Sequence, residues 1–123
     1  MTEAEKMNKR AVGSTREAEA ASYLEKNGYQ ILEHNYRCRQ GEIDLIARDG
    51  RYLVFIEVKY RRTLRSGYPE EAVDKRKQQK IWRTARYYLY RHGYGEDTPC
   101  RFDVVSITGE GPQAIRVIRD AFS

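Results

Sequence analysis

Two apolar runs on either side of one short polar turn constrain this chain most. Glu42–Ala47 and Tyr52–Tyr60 flank Arg48-Asp49-Gly50-Arg51, and Asp-Gly between strand-like runs is a strong signal for a two-residue hairpin. With the turn centred on Asp49-Gly50, Arg48 faces Arg51, Ala47 faces Tyr52, and Asp44 lies opposite Phe55. A lone hairpin is at best marginal in water, so the rest of the 123 residues must cover it.

The remaining segments supply that cover. A helix is expected from Thr15 to Asn27, with Ser14 as N-cap, Glu17 completing a capping box and Gly28 ending it. Ala20, Ala21 and Leu24 follow Glu17 by three, four and seven positions, which places Glu17 on the inward stripe. A strand at Tyr29–Tyr36 and a polar bend at Arg37–Gly41 lead into the hairpin. After it, a basic stretch (Arg61–Tyr68) reaches Pro69 and a helical turn through Val73. A long helix then runs from Lys75 to Arg91, with Ile81, Trp82, Ala85, Tyr88 and Leu89 as its apolar stripe. Strands follow at Phe102–Thr108 and Ala114–Ile118, joined by a turn at Gly109–Pro112. The order α-β-β-β-α-β-β implies one α/β domain, a central mixed sheet with a helix on each face. Residues 1–12 read as a polar tail and residues 13–123 as the single domain.

Several classes are excluded by the same residues. The longest uninterrupted apolar stretch is Tyr52–Ile56, far short of the roughly 20 residues a membrane helix needs. The polar N-terminus has no apolar core of a secretory signal. Cys38 and Cys100 form neither a Cys-x-x-Cys pair nor a zinc-spaced set, so reduced thiols in a cytoplasmic protein are expected. Ten Tyr, three Phe and one Trp provide enough apolar area to fold.

The formal charge of +5 is unevenly distributed. Residues 1–33 total −1, residues 34–91 total +8 and residues 92–123 total −2. Between Lys75 and Arg91 stand Lys75, Arg76, Lys77, Lys80, Arg83, Arg86 and Arg91, with no acid among them and with Trp82, Tyr87, Tyr88 and Tyr90 interleaved. Cations with aromatics suit a phosphate-rich, base-containing partner. The plainer alternative is a solvated amphipathic helix with buried aromatics.

The chemistry concentrates in the hairpin. Asp44 interrupts an apolar run, while Glu57 and Lys59 are two apart and share one strand face. In the register above, Asp44 lies diagonal to Glu57, a separation of about 7–8 Å. Two converging carboxylates suit Mg²⁺ or Mn²⁺, with substrate phosphate and water completing the shell. Lys59 beside that site would orient water or neutralise charge developing on phosphorus, and Glu17 approaches from the first helix as a third acid. Singly, each has a plainer role: Glu57 and Lys59 pairing with each other, Asp44 accepting hairpin hydrogen bonds, Glu17 capping its helix. Jointly, beside a basic surface, they read as a metal site.

These residues also resemble a known family. Asp44, a twelve-residue gap and Glu57-Val58-Lys59 resemble the PD-(D/E)XK nuclease signature. More closely, Glu17-x-x-Ala20-x-x-Tyr23-Leu24, Gly28-Tyr29, Asn35-Tyr36-Arg37, Gly41-Glu42-Ile43-Asp44-Leu45-Ile46, Phe55-Ile56-Glu57-Val58-Lys59-x-Arg61, Lys77, Arg101-Phe102-Asp103-Val104-Val105 and Ala121-Phe122 resemble the YraN-like family of bacterial proteins. That family is similar to archaeal Holliday-junction resolvases. The resemblance implies a restriction-endonuclease-like core in which Asp44 and Glu57 are metal ligands, Val58 lends its carbonyl and Lys59 is the catalytic lysine. Glu17 matches the helix acid of the resolvase-like branch, although Arg16 stands where a glycine is expected. The nuclease motif opens here as Gly41-Glu42-Ile43-Asp44.

The expected function is Mg²⁺- or Mn²⁺-dependent hydrolysis of DNA phosphodiesters, branched DNA included. Arg61, Arg62, Lys75, Lys77, Lys80 and Arg83 would grip the backbone without reading sequence. Cutting both strands of a two-fold symmetric junction calls for a homodimer. The alternative is a nucleic-acid-binding or scaffolding protein that keeps the nuclease fold and cleaves nothing.

Overall fold

A computed structural model describes residues 3–61, 73–109 and 114–123, side chains of residues 3–14 aside. The elements are α1 (Glu3–Lys26), β1 (Gln30–Cys38), β2 (Gly41–Asp49), β3 (Tyr52–Arg61), α2 (Lys75–Arg91), β4 (Cys100–Thr108) and β5 (Ile115–Phe122). The five strands form one sheet in the order β1-β2-β3-β4-β5. Only β3 and β4 are parallel; the other pairs are antiparallel. Parallel neighbours need a crossover, and α2 lies in that connection. The expected α-β-β-β-α-β-β order and mixed sheet are therefore observed.

Each face of the sheet buries one helix. Ala20, Ala21 and Leu24 of α1 pack with Tyr29, Leu45, Ala47, Val54, Ile56, Val105 and Ile107. On the other face, Ile81, Ala85 and Tyr88 of α2 meet Ile43, Ile46, Leu53, Phe55, Phe102 and Val104. Central β3 is buried without interruption from Leu53 to Glu57, as a strand covered on both faces should be.

The end of α1 follows from Gly28, which takes φ +91°. Gly28 N–H donates to the Glu25 carbonyl (3.1 Å) and Tyr29 N–H to the Leu24 carbonyl (3.0 Å). This is a Schellman stop, and Tyr29 and Leu24 close it by packing together. The start of α1 differs from expectation. The helix begins at Glu3, so Ser14 lies within it rather than at its cap, and residues 3–12 are helical backbone. Residues 3–12 are rich in Ala, Glu, Lys and Met, and one glycine at position 13 costs only about 1 kcal/mol against alanine. The expected turn from Pro69, apart from buried Val73 at its end, and most of the basic stretch before it lie outside the described residues.

The hairpin register is also corrected. The pairs are Asp49↔Tyr52, Arg48↔Leu53, Ala47↔Val54, Ile46↔Phe55 and Leu45↔Ile56. The turn is centred on Gly50-Arg51 instead of Asp49-Gly50, because Gly50 (φ +60°) takes the first central position of a II′-like turn. Asp49 stays in the strand, where Arg101 Nη2 donates to its Oδ2 at 2.8 Å.

A third correction concerns α2. Its buried residues are Ile81, Thr84, Ala85 and Tyr88, whereas Trp82 is 45% exposed. Trp82 sits about 100° round the helix from Ile81, off the i, i+3, i+4, i+7 stripe. Thr84 takes the inward place because α2 approaches the β1–β2 turn closely. A Cβ on Gly41 (φ +148°) would sit 2.9 Å from Thr84 Oγ1.

A buried polar network closes the α1 face. Asp103, fully buried, accepts from Tyr29 Oη (2.9 Å), Arg101 Nε (2.9 Å), Arg101 Nη2 (2.8 Å) and the Asp120 backbone N–H (2.9 Å). Burial and the neighbouring Asp103 charge push the Tyr29 phenol above its ordinary range. Cys38 and Cys100 are free thiols. Among the described residues, no helix is long and apolar enough to cross a membrane.

Candidate functional site

The site forms where β2 and β3 part. Their ladder runs to Leu45↔Ile56, and one step further the same register brings Asp44 opposite Glu57. Asp44 and Glu57 thus lie just beyond the last ladder pair, close enough for the Glu57 charge to act on the Asp44 carboxyl. Asp44 Oδ2 accepts the Val58 N–H at 2.8 Å, replacing a ladder bond with a side-chain contact. Strict alternation breaks here: Ile43 and Ile46 both pack toward α2, while Leu45 and Ala47 pack toward α1. The distortion continues into β1, where Asn35, the residue opposite Asp44, has φ +50°.

Glu57 is buried, its side chain 7% exposed, and faces the α2 side with Lys59. Lys59 Nζ and Lys77 Nζ both stand 3.5 Å from Glu57 Oε1. Lys77 is brought there by the first turn of α2, which Asp74 caps by accepting the Lys77 N–H at 2.8 Å. Burial, and next the charge of Glu57, push the Asp44 carboxyl from 3.8 up to about 7; the Val58 hydrogen bond and Lys77 oppose this. Glu17 is raised as well, first by burial and then by Asp44, with an Asn35 hydrogen bond opposing. That coupling places Glu17 within electrostatic reach of Asp44. Arg16 does not bear on it: the guanidinium pairs with Glu19 at 3.2 Å and lies 4.0 Å over the Tyr60 ring.

Asp44, Glu57, Val58 and Lys59 are thus drawn together. Glu17 flanks them without completing a three-acid cluster: among the described residues no three His, Cys, Asp or Glu side chains are grouped to hold a metal ion. The expected DNA-gripping cations divide. Lys75, Lys80 and Arg83 are exposed along α2, whereas Lys77 turns into the site. Arg61 ends β3, where its carbonyl accepts the Gly109 N–H at 3.0 Å, and Arg62 lies outside the described residues. Sequence reasoning put Lys77 among the surface cations and missed its contact with Glu57. The signal was its four-residue offset from inward-facing Ile81.

The donor set fits a small hard cation. Buried Glu57 and half-buried Asp44 repel, as the raised Asp44 carboxyl records, and oxygen donors of this kind suit Mg²⁺ or Mn²⁺. In an antiparallel pair the N–H and C=O of one residue point to the same neighbour. The Val58 carbonyl accordingly faces the β2 side with its N–H, adding a neutral oxygen.

Comparison with known proteins places the chain among bacterial relatives of matching length. It is 55% identical over 116 residues to a UPF0102 protein of Lachnoclostridium phytofermentans, covering 94% of this chain and 96% of the relative. A UPF0102 protein of Symbiobacterium thermophilum is 50% identical over 115 residues (92% and 97% covered). One of Stutzerimonas stutzeri is 46% identical over 111 residues (89% and 92%). The model of the Uncharacterised protein family UPF0102 matches residues 16–107, a span holding Glu17, Asp44, Glu57, Lys59 and Lys77. By that match and by these identities, the chain belongs to the UPF0102 family, the YraN-like family its motifs resemble.

Proposed function

We propose that this protein is a metal-dependent endonuclease of the PD-(D/E)XK type that binds DNA and hydrolyses its phosphodiester bonds, those of branched DNA included. The observation that carries this reading is the meeting of half-buried Asp44 and buried Glu57 at the parting of β2 and β3, with Lys59 and Lys77 on one Glu57 oxygen. Asp44, Glu57 and the Val58 carbonyl would hold Mg²⁺ or Mn²⁺. When bound, such an ion supplies Lewis-acid stabilisation of charge on the phosphoryl oxygens.

The chain's own residues do the rest. Lys59 holds an ammonium where charge builds on phosphorus as water adds and the ester oxygen leaves with a proton. Lys77 adds a second cation from α2, and Glu17 stands at the edge of the site as the helix acid. Lys75, Lys80 and Arg83, with Arg61 and Arg62, would position the backbone without reading bases. A two-fold junction substrate would require two copies of the chain.

The test is a cleavage panel: labelled four-way junctions, flaps and single strands, with Mg²⁺ or Mn²⁺, using the wild type and Glu57→Ala. Metal-dependent nicking that disappears in Glu57→Ala is expected. If both proteins bind DNA and neither cuts any member, the non-catalytic binding role replaces this reading.

A further inference from the structure

We propose that the outer face of α2 is a stacking platform for an unpaired nucleobase, with Trp82 as the ring on which the base lies. The inference rests on the nucleic-acid reading above and narrows its substrate to DNA carrying an unpaired stretch.

Helical geometry sorts the aromatics of α2. Tyr88 is buried against the sheet, while Trp82, about 120° round the helix from it, stands 45% exposed on the flank of α2. Beside Trp82 lies a cleft of about 300 Å³ lined by Lys75, Gln78, Gln79, Trp82 and Ser123. Gln78 Nε2 is anchored on the Val73 carbonyl at 2.8 Å, fixing one wall. The cleft residues of α2 precede Trp82 by seven, four and three positions, so the cleft lies on the N-terminal side of the indole. On its C-terminal side, the Arg86 guanidinium sits 4.8 Å from the ring centroid. Arg86 covers one side of the indole and leaves the cleft side open to a second flat group.

Charge selects the occupant. The seventeen residues of α2 contain no acid, and Lys75, Arg76, Lys80, Arg83 and Arg86 are all exposed. A flat group carrying phosphate matches a ring among cations, and every base has a π-face to stack. Paired bases keep their faces inside the duplex, so only an unpaired base can use the platform. Trp82 is five residues beyond Lys77, a rise of about 7.5 Å along α2. Lys77 touches Glu57, so the platform lies close along the helix to the proposed cleavage site.

Trp82 is the chain's single tryptophan, so its emission reports directly on the platform. With EDTA present to prevent cleavage, the wild-type protein is titrated with four probes: a single-stranded oligonucleotide, its blunt duplex, an abasic single strand of the same length, and poly-glutamate. The expected result is quenching by the single strand alone. By fluorescence anisotropy, Trp82→Ala should bind the single strand roughly tenfold more weakly and the duplex within twofold of wild type, with Trp82→Phe keeping most of the single-strand affinity. Equal binding of single strand and duplex with unchanged emission overturns the platform and leaves the DNA-binding reading standing. Failure of every oligonucleotide to bind overturns both. Quenching by poly-glutamate as strong as by DNA would assign the face to an acidic protein. Quenching that grows with protein concentration alone, with dimers in sedimentation, would assign it to a second copy of the chain.

Discussion

Asp44 offers the sharpest test of the site, because its environment opposes the charge that a metal ligand must carry. The perturbation is Asp44→Asn, which removes the ionisable group and keeps an oxygen that can accept the Val58 N–H. Burial and Glu57 raise the carboxyl from 3.8 to about 7 in the folded protein. Below about pH 4 the group is protonated whether the chain is folded or not, so folding gains nothing from the difference relative to low pH. From there up to about pH 7 the unfolded chain releases the proton while the folded one keeps it. Wild-type stability therefore falls by about 1.4 kcal/mol per pH unit across that window and levels above it. The full span is worth roughly 4 kcal/mol at pH 8. The Val58 hydrogen bond to the charged carboxylate is already included in that net shift. Asp44→Asn should thus be more stable than wild type at pH 8 by roughly 4 kcal/mol, on the order of 15 °C in Tm for a chain of this size. At pH 4 it should show no advantage. The assay is thermal unfolding in EDTA at half-unit steps from pH 4 to 8.5. Adding Mn²⁺ at pH 8 should then raise the Tm of wild type and leave Asp44→Asn unmoved, since a ligand stabilises only the state that binds it. Parallel pH curves for the two proteins, or a mutant less stable at pH 8, would refute the reasoning.

Three further outcomes are expected. Asp103→Ala takes one of the two carboxylates from Arg101, which keeps Asp49, and strips acceptors from Tyr29 and the Asp120 N–H, so urea unfolding should show a loss of about 2–4 kcal/mol. Gly41→Ala forces a left-handed-side φ of +148° on a residue with a Cβ and drives that atom to 2.9 Å from Thr84 Oγ1. A loss of about 1–3 kcal/mol in the same assay is expected, and an unchanged midpoint would show that α2 yields at no cost. Lys80→Glu should lower the slope of log affinity against log salt for duplex DNA by about 1; Lys77→Gln, whose ammonium faces Glu57, should leave that slope nearly unchanged and slow cleavage instead.

Much of this architecture was legible because local rules and tertiary packing agree. Gly28 ends α1 by the left-handed stop its sequence implies, and Ala20, Ala21 and Leu24 are buried as their spacing predicts. Glu57 and Lys59 meet because residues two apart on a strand share a face, whereas Asp44 joins them where strict alternation breaks, which no period in the sequence signals. The failures arise where two local signals compete. Ser14-Thr15-Arg16-Glu17 has the form of a capping box, yet a helix already running from Glu3 has no terminus there to cap. Trp82 and Ile81 are adjacent and both apolar, so periodicity alone cannot say which faces the sheet. The close approach of Gly41 to Thr84 decides it by drawing Thr84 inward. Lys77 looked like one cation among seven until the tertiary structure put a buried carboxylate in front of it.

The hairpin register shows how distant parts of the fold bear on the site. Asp-Gly alone admits two placements of the turn, and they differ in whether Asp49 belongs to the turn or to β2. Gly50 takes the first turn position (φ +60°), and Arg101 reinforces that placement, its guanidinium bridging Asp49 and Asp103 at 2.8 Å each with Asp49 in the strand. Five residues back along β2, about 17 Å at the usual rise, the same register sets Asp44 against Glu57 instead of Phe55. In the other placement Asp44 would face an aromatic ring, and the two carboxylates would not be opposed. The buried Arg101–Asp103 pair, with no group placed to touch substrate, thereby aligns the residues proposed to do the chemistry.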